Sequence, residues 1–161
     1  MPVRGERIAY LCPRINQLKV FGPVIAEQRR RGLAGKPLLL VPGEPLVTQR
    51  AKNRELASAV RLPEMREQVG REVEIETVTS AAELLTCIRK KGVAAVVNQG
   101  LRLPGSLLAE AVIPSRREGI LWCSLGYIQE ELLHILQAGP SVLDDWDVAT
   151  TLSRAGLEFV K

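Results

Sequence analysis

Short apolar runs alternate along this chain with amphipathic stretches. Five runs rich in aliphatic and β-branched residues are bounded by turn residues and predict strands, over residues 7–12, 37–41, 72–78, 93–98 and 120–124. Residues 38–41 and 93–97 are apolar throughout, which is typical of strands whose two faces are both buried. The pattern therefore predicts one α/β domain with a parallel, doubly wound (Rossmann-like) sheet of five strands in the order 3-2-1-4-5.

The amphipathic stretches between these runs predict helices. They cover residues 18–31, the stretch after Ser80, residues 106–113 and residues 128–137. Glu83 follows Ser80 by three residues, which is the spacing of a capping box. Proline breaks helices in their interior, so we expect Pro63 to interrupt the less regular segment 47–68 and Pro114 to end the helix before it.

The positive charge of this chain is spread over helix ends. The net charge is +4, and three cationic runs each lead into a glycine, over residues 29–32, 89–92 and 116–119. Cations in a last turn complement the helix dipole, and the glycine favours the left-handed turn that ends a helix. Aromatic residues are only 4% of the chain, which leaves few platforms for stacking bases. We therefore expect no nucleic-acid partner.

The cysteines and the hydropathy of the chain indicate its surroundings. Cys12, Cys87 and Cys123 lie far apart in apolar runs and lack metal-ligand spacing, so we expect unpaired, buried thiols. The sequence shows no charged-then-apolar leader and no apolar run near the roughly 20 residues that span a bilayer. We expect a cytoplasmic protein without a membrane span.

Ligands of open parallel sheets bind beyond the carboxyl ends of the strands, where the strand order reverses. For the predicted order this point lies between the first and fourth strands. The loops at this point supply the candidate ligand-binding residues, which are Arg14, Asn16, Gln17, Asn98, Gln99, Gly100, Arg102, Ser124, Gly126 and Tyr127. The arginines could hold an anionic group and the amides could bind hydroxyls. The same residues could equally fill solvated turns.

Candidate catalytic residues are few. The chain has neither a GxGxxG after the first strand nor a GxxxxGK[ST], which argues against dinucleotide and P-loop enzymes and for no cofactor. His134 is the only histidine and follows Glu130 by one helical turn. Glu130 or Glu131 could orient His134 as a general base, or His134 could be a solvated residue near a helix end.

Three carboxylates lie close together near the end of the sequence. Asp144, Asp145 and Asp147 could bind a divalent cation through their oxygens. Alternatively, Asp144 or Asp145 caps a helix that begins near Trp146, with Asp147 in its first turn. Because capping explains all three side chains and one histidine is too few for most catalytic zinc sites, we expect no metal.

Four stretches carry a resemblance to a known family. Residues 7–18, 21–26 and 30–32, which read RIAYLCPRINQL, FGPVIA and RRG, resemble the start of GT-B-type glycosyltransferases and related sugar-nucleotide 2-epimerases. Residues 120–127, ILWCSLGY, are similar to the fifth strand of these enzymes, which often leads to a loop near the acceptor site. The likeness is strongest to bacterial surface-polymer enzymes that resemble glycerophosphate transferases. Residues 13–16 replace the glycine-rich turn of that family.

The resemblance implies one domain of a two-domain transferase. Such enzymes have two similar domains, so residues 1–161 are either one stand-alone domain or the N-terminal half of a longer protein. In the first hypothesis the chain is the acceptor-side domain of a sugar or sugar-phosphate transferase of cell-surface polymer biosynthesis, and its partner is a second α/β domain or protein that delivers the donor. Its ligand would be a sugar-nucleotide or a polyol phosphate. In the second it is a non-catalytic ligand- or protein-binding module, and a motif-free nucleotide-binding enzyme ranks last.

Overall fold

Six parallel strands organise the part of the chain that the structure describes. The computed structural model describes residues 6–33, 35–44, 46, 51–100, 103, 107–125, 144 and 146–150. The strands are β1 (Arg7–Leu11), β2 (Leu38–Pro42), β3 (Glu74–Val78), β4 (Val93–Gln99), β5 (Leu121–Leu125) and β6 (Val148–Thr150). They form one sheet in the order β3-β2-β1-β4-β5-β6, and every neighbouring pair is parallel. The predicted order 3-2-1-4-5 is confirmed, and β6 adds an edge strand that the sequence pattern did not predict.

Helices connect these strands. They are α1 (Leu18–Arg30), α2 (Leu62–Val69), α3 (Ala81–Lys90) and α4 (Ile113–Arg117), and a π-helical turn, Leu108–Val112, leads into α4. Short 3-10 turns cover Ile15–Gln17, Ala51–Leu56 and Ser58–Val60. The helix predicted over residues 128–137 lies outside the described residues.

Two prolines begin helices that we expected them to break. Pro63 and Pro114 each lie in the first turn of a helix, α2 and α4 respectively. The first turn of α2 leaves its backbone N–H groups without helical partners, so Pro63, which lacks an N–H, is accepted there. Pro114 lies where the π-helical turn passes into α4, and the helical segment continues through it. The expectations that Pro63 interrupts a helix and that Pro114 ends one were therefore wrong.

Each face of the sheet packs its own hydrophobic cluster. On one face α1 and α2 cover a cluster that includes Tyr10, Phe21 and Met65. The Tyr10 and Phe21 ring centroids are 5.4 Å apart, and the Tyr10 hydroxyl donates to Gln28 Oε1 over 2.7 Å. On the other face α3 and the segment up to α4 cover a second cluster, in which Trp122 is fully buried. Helices on both faces confirm the doubly wound architecture.

The predicted helix ends are confirmed. Glycines follow the cationic runs in the left-handed conformation, at Gly32 (φ 64°), Gly92 (φ 63°) and Gly119 (φ 89°). Ser80 Oγ accepts from the Glu83 backbone N–H over 3.1 Å, as predicted. The Glu83 carboxylate accepts from the Thr79 backbone N–H, one residue before the cap position.

The three cysteines are free thiols, as predicted, but they differ in burial. Cys12 is fully buried, whereas Cys87 and Cys123 are only half-buried. No helix in the described ranges is long and apolar enough to cross a membrane.

Asp147 attaches β6 to the sheet. Its Oδ2 accepts from the Trp122 backbone N–H over 2.7 Å, its own backbone N–H donates to Trp122 O over 2.8 Å, and Arg116 Nη2 reaches Oδ1 at 2.9 Å. Arg116 also donates to the Asp144 carbonyl. The helix predicted to begin near Trp146 is therefore wrong, because these bonds to β5 hold Asp147 at the start of a strand. Asp145 is not among the described residues.

Charged side chains at the amino edge of the sheet form a network. Arg7 Nη2 lies 2.7 Å from Glu74 Oε2, and Lys91 Nζ lies 2.5 Å from Glu74 Oε1 and 2.6 Å from Glu76 Oε1. Arg7 Nε also donates to the Lys36 carbonyl over 2.9 Å. The hydrogen bonds from Lys91 and Arg7 lower the pKa of Glu74 to about 2. This network ties β1 to β3 and to the turn before β4.

Candidate functional site

The carboxyl edge of the sheet gathers the predicted candidates that the structure describes. The strand order reverses between β1 and β4, and there Leu11 is the register partner of Asn98. Asn98 in turn pairs with Ser124 of β5. Arg14, Asn16 and Gln17 follow β1, and Gln99 and Gly100 end β4. Five predicted site residues lie outside the described ranges and stay predictions: Arg102, Gly126, Tyr127, Glu130 and His134.

The turn after β1 is held from two sides. Pro13 O accepts from the Ser58 backbone N–H over 3.0 Å, and Arg14 forms an isolated antiparallel bridge with Ala57. Within the turn, the Arg14 backbone N–H donates to Gln17 Oε1 over 3.0 Å, and the Gln17 N–H donates to Arg14 O over 3.1 Å. The side-chain oxygen of Gln17 is thus engaged by the turn itself. The backbone from which the Arg14 side chain projects has a defined position.

Arg14 differs from the other half-buried cations. Those cations each form an ion pair with a carboxylate, and they are Arg7, Arg61, Lys91 and Arg116. Arg14 is also half-buried, but it has no ion pair with any residue that the structure describes. Partial burial of a cation costs solvation free energy, which an anion beside it would offset. Arg14 is therefore suited to hold an anionic group at the end of β1.

The end of β4 is shaped by hydrogen bonds to one glycine. Asn98 Nδ2 donates to Gly100 O over 3.0 Å, and Ser124 Oγ donates to the same oxygen over 2.7 Å. The Gly100 backbone N–H donates to Leu125 O over 2.8 Å. Gly100 has φ 81°, which a residue with a side chain rarely adopts. Asn98 is 4% exposed and Ser124 is fully buried, so both side chains hold the turn in place.

Exposed amides complete this edge. Asn16 is exposed and Gln99 is half-buried, and neither side chain forms a hydrogen bond with the described residues. Their predicted role in ligand binding stays a prediction. Together with Arg14 they supply one cation and two neutral amides around the point of strand-order reversal. Such a set can bind an anionic group and hydroxyls, which is the composition that a polyol phosphate presents.

Cys12 lies under the turn as a fully buried thiol. Its Sγ donates to Arg14 O over 3.3 Å, and the Ser58 hydroxyl lies 3.8 Å from Sγ. Burial raises the pKa of the Cys12 thiol to about 12, so the thiol stays protonated at neutral pH. Cys12 and Ser58 therefore support the turn. The role of Ser58 was missed from the sequence because residues 12 and 58 meet only through the fold.

A shallow cleft lies at the opposite edge of the sheet. It has a volume of about 400 Å³ and opens between the end of α1 and the start of β2, beside Leu33 and the ion pair of Arg29 with Glu72. None of the predicted site residues lines it. Because ligands of doubly wound sheets bind at the carboxyl edge, this cleft is a poor candidate for the functional site.

The described residues contain no group of three or more histidine, cysteine or acidic side chains placed to hold a metal ion. Comparison with known proteins finds no matching protein family, no matching curated protein and no matching solved structure. The candidate site therefore stands on the geometry of the carboxyl edge.

Proposed function

We propose that this chain binds a polyol phosphate or a sugar-nucleotide at the carboxyl edge between β1 and β4, as the acceptor-side domain of a GT-B-like transferase. The observation that carries the proposal is Arg14, a half-buried cation without an ion pair among the described residues. It lies where ligands of this sheet architecture bind. The setting for such a domain would be carbohydrate biosynthesis in the cytoplasm.

The surroundings of Arg14 support binding of an anion. The turn that carries it is held by Ser58, Ala57 and Gln17, so little backbone ordering would be needed when a ligand arrives. A guanidinium can form two parallel hydrogen bonds with a phosphate, and such charge-assisted bonds are about twice as strong as neutral ones. Asn16 and Gln99 would then be available to the uncharged part of the ligand.

The transferase role rests on the sequence resemblance together with this edge. In that role a second α/β domain delivers the donor, while this domain positions an acceptor hydroxyl over the strand ends. His134 is the proposed general base, and Glu130 is proposed to orient its ring. A doubly wound sheet serves many functions, so the fold alone does not choose between a transferase half and a non-catalytic binding module.

Calorimetric titration of three proteins tests this proposal. Wild type, Arg14→Ala and the control Arg117→Ala are titrated with glycerol 3-phosphate, sugar-nucleotides and inorganic phosphate. Arg117 is a suitable control because it is exposed, lacks an ion pair with described residues, and ends α4 at the amino edge. We expect Arg14→Ala to weaken binding by roughly 1.5–3 kcal/mol, or about 10- to 150-fold, while Arg117→Ala binds like wild type.

Thermal melts of all three proteins separate binding from folding. Because the Arg14 side chain makes no described ion pair, we expect its removal to leave the melting temperature close to that of wild type. Equal affinities of wild type and Arg14→Ala for a ligand that binds would place the site elsewhere. If wild type binds none of these ligands, the non-catalytic protein-binding module becomes the better interpretation.

A further inference from the structure

Asn98 is a buried amide at the point where the strand order reverses. It pairs in register with Leu11 of β1 on one side and with Ser124 of β5 on the other, and only 4% of it is exposed. Most residues at buried positions of β4 are apolar, including Val93, Val96 and Val97. A polar side chain at this depth is accommodated when its hydrogen-bonding groups are used.

The local carbonyl groups determine which way the amide of Asn98 points. Its Nδ2 donates to Gly100 O over 3.0 Å and to Gln99 O over 3.2 Å. A carbonyl oxygen can only accept, so the nitrogen must face both of them, and a flipped amide would set Oδ1 against two other oxygens. Ser124 Oγ also donates to Gly100 O and holds that carbonyl in place. The carbonyl groups of Gln99 and Gly100 therefore fix the orientation of the Asn98 side-chain amide.

An amide oxygen can only accept a hydrogen bond. Because the nitrogen of Asn98 is held by the two carbonyls, its Oδ1 remains available as an acceptor. None of the described residues donates a hydrogen bond to it. An acceptor-only oxygen attracts a hydroxyl or an amine and repels a phosphate oxygen, which has no proton to donate. Arg14, across the β1–β4 boundary, has the opposite preference, because a guanidinium only donates.

We infer that Asn98 is a specificity-determining residue of the carboxyl-edge site, whose Oδ1 accepts a hydrogen bond from a hydroxyl of the ligand. This inference rests on the proposed function and adds the chemistry that the site selects. Arg14 binds the anionic end of the ligand and Asn98 binds a hydroxyl on its carbon chain. A site built to hydrogen-bond a hydroxyl rejects an analogue that lacks it, because the protein group is then left without its partner. The preferred ligand class is therefore a polyol phosphate, in preference to an alkyl phosphate of the same length.

The test compares two ligands that differ only in hydroxyl groups. Glycerol 3-phosphate and n-propyl phosphate are titrated calorimetrically into wild type, Asn98→Ala, Arg14→Ala and the control Arg117→Ala. Arg117 is exposed at the amino edge, so its removal leaves the residues of the carboxyl edge unchanged. We expect wild type to prefer glycerol 3-phosphate by about 10-fold, which is at the upper end of the usual effect of one lost hydrogen bond. Asn98→Ala should bind both ligands equally.

The remaining variants show which end of the ligand each residue binds. Arg14→Ala should weaken both ligands by a similar factor and keep the preference, and Arg117→Ala should bind both ligands like wild type. Should Asn98→Ala fail to fold, Asn98→Ser is the second variant, because its shorter side chain cannot carry an acceptor to the same position.

Three outcomes would overturn the inference. Equal affinities of wild type for both ligands, with binding still dependent on Arg14, would refute the role of Asn98 and leave the proposed function standing. A preference that persists in Asn98→Ala or Asn98→Ser would assign the hydroxyl to another residue. Failure of wild type to bind either ligand would overturn this inference, and failure to bind sugar-nucleotides as well would also remove the proposed function.

Discussion

Polar side chains have different partners at the two edges of the sheet. At the amino edge, Arg7 and Lys91 both pair with the Glu74 carboxylate at 2.7 and 2.5 Å. At the carboxyl edge, Asn98 and Ser124 donate to backbone carbonyls, and the cation Arg14 has no ion pair with a described residue. The charges of the half-buried Arg7 and Lys91 are thus neutralised within the protein, whereas that of the half-buried Arg14 is left available.

This difference indicates that the amino edge contributes mainly to stability and the carboxyl edge mainly to binding. The amino-edge network satisfies its charges in the folded protein, and the lowered pKa of Glu74 records how strongly that carboxylate is held in its ionised form. Few of these groups remain for a ligand. At the carboxyl edge, backbone hydrogen bonds give the turns their shape, so Arg14 is not needed to hold them. Substitutions at the two edges should therefore affect different measurements.

The largest expected effect is on stability at the amino edge. Glu74→Ala leaves Arg7 and Lys91 without their shared partner, and we expect it to lower the free energy of unfolding by about 2–3 kcal/mol. This value lies between those of exposed and fully buried pairs because Glu74 is 26% exposed. Urea unfolding of wild type, Glu74→Ala and Arg14→Ala checks it. A loss in Arg14→Ala as large as in Glu74→Ala would contradict the division between the edges.

A second effect is on the pH dependence of stability. The pKa of Glu74 falls from 4.5 to about 2 on folding, so its stabilisation is fully present above pH 4.5 and is lost as the pH falls towards 2. We expect about 2 kcal/mol of stability to disappear over this window, less than the full shift implies because the side chain is partly solvated. Unfolding of wild type and Glu74→Gln is measured from pH 7 to pH 2. Their difference should narrow below pH 4.5, and a constant difference would show that Glu74 titrates normally.

A smaller effect is expected for the backbone-directed hydrogen bonds of the carboxyl edge. Ser124→Ala removes one of the two side-chain donors to Gly100 O, and we expect a loss of about 1 kcal/mol in the free energy of unfolding. Asn98 still donates to that carbonyl, so the turn should persist. Hydrogen exchange of the Gly100 amide, which donates to Leu125 O, reports on it directly. Unchanged stability and unchanged exchange would mean that Asn98 alone holds the turn.

The smallest effect is expected for an exposed cluster of charges. Glu27 pairs with Arg30 and Arg31 on the surface of α1, and these pairings lower the pKa of Glu27. Solvent and salt screen such pairs, so Glu27→Gln should leave the melting temperature unchanged within error. A clear drop would show that partial burial is not what distinguishes Glu74.

Much of the fold was predictable because its strongest signals are local. Fully apolar runs in β2 and β4 require a sheet with two covered faces, and crossover rules then limit the strand order. Strand β6 was missed because Val148–Thr150 is short and is held extended by Asp147, whose partner Trp122 is distant in sequence. Pro63 was misread because proline is compatible with the first turn of a helix, and Pro114 was misread because the helical segment continues through it from the π-helical turn into α4.

The candidate site was predictable in position and less so in chemistry. The strand order alone located Arg14 and Asn98 at one point of the sheet. The sequence could not show that Asn98 directs its nitrogen towards Gly100, or that Ser58 holds the turn after β1, because both depend on long-range packing. Whether a cation lacks an ion pair is likewise a property of the folded protein. These are the details that distinguish a ligand-binding residue from a turn residue.

The central position of β1 in the sheet affects the order in which the newly made chain can fold. Synthesis proceeds from the N-terminus, and β1 can pair with β2 as soon as both have left the ribosome. The cluster under α1 and α2 draws almost entirely on residues up to Val78, so that face can close early. The opposite face also needs Val96 and Trp122, which are made much later. A nascent chain that pauses before β4 therefore exposes the apolar side chains of Leu38 and Leu40.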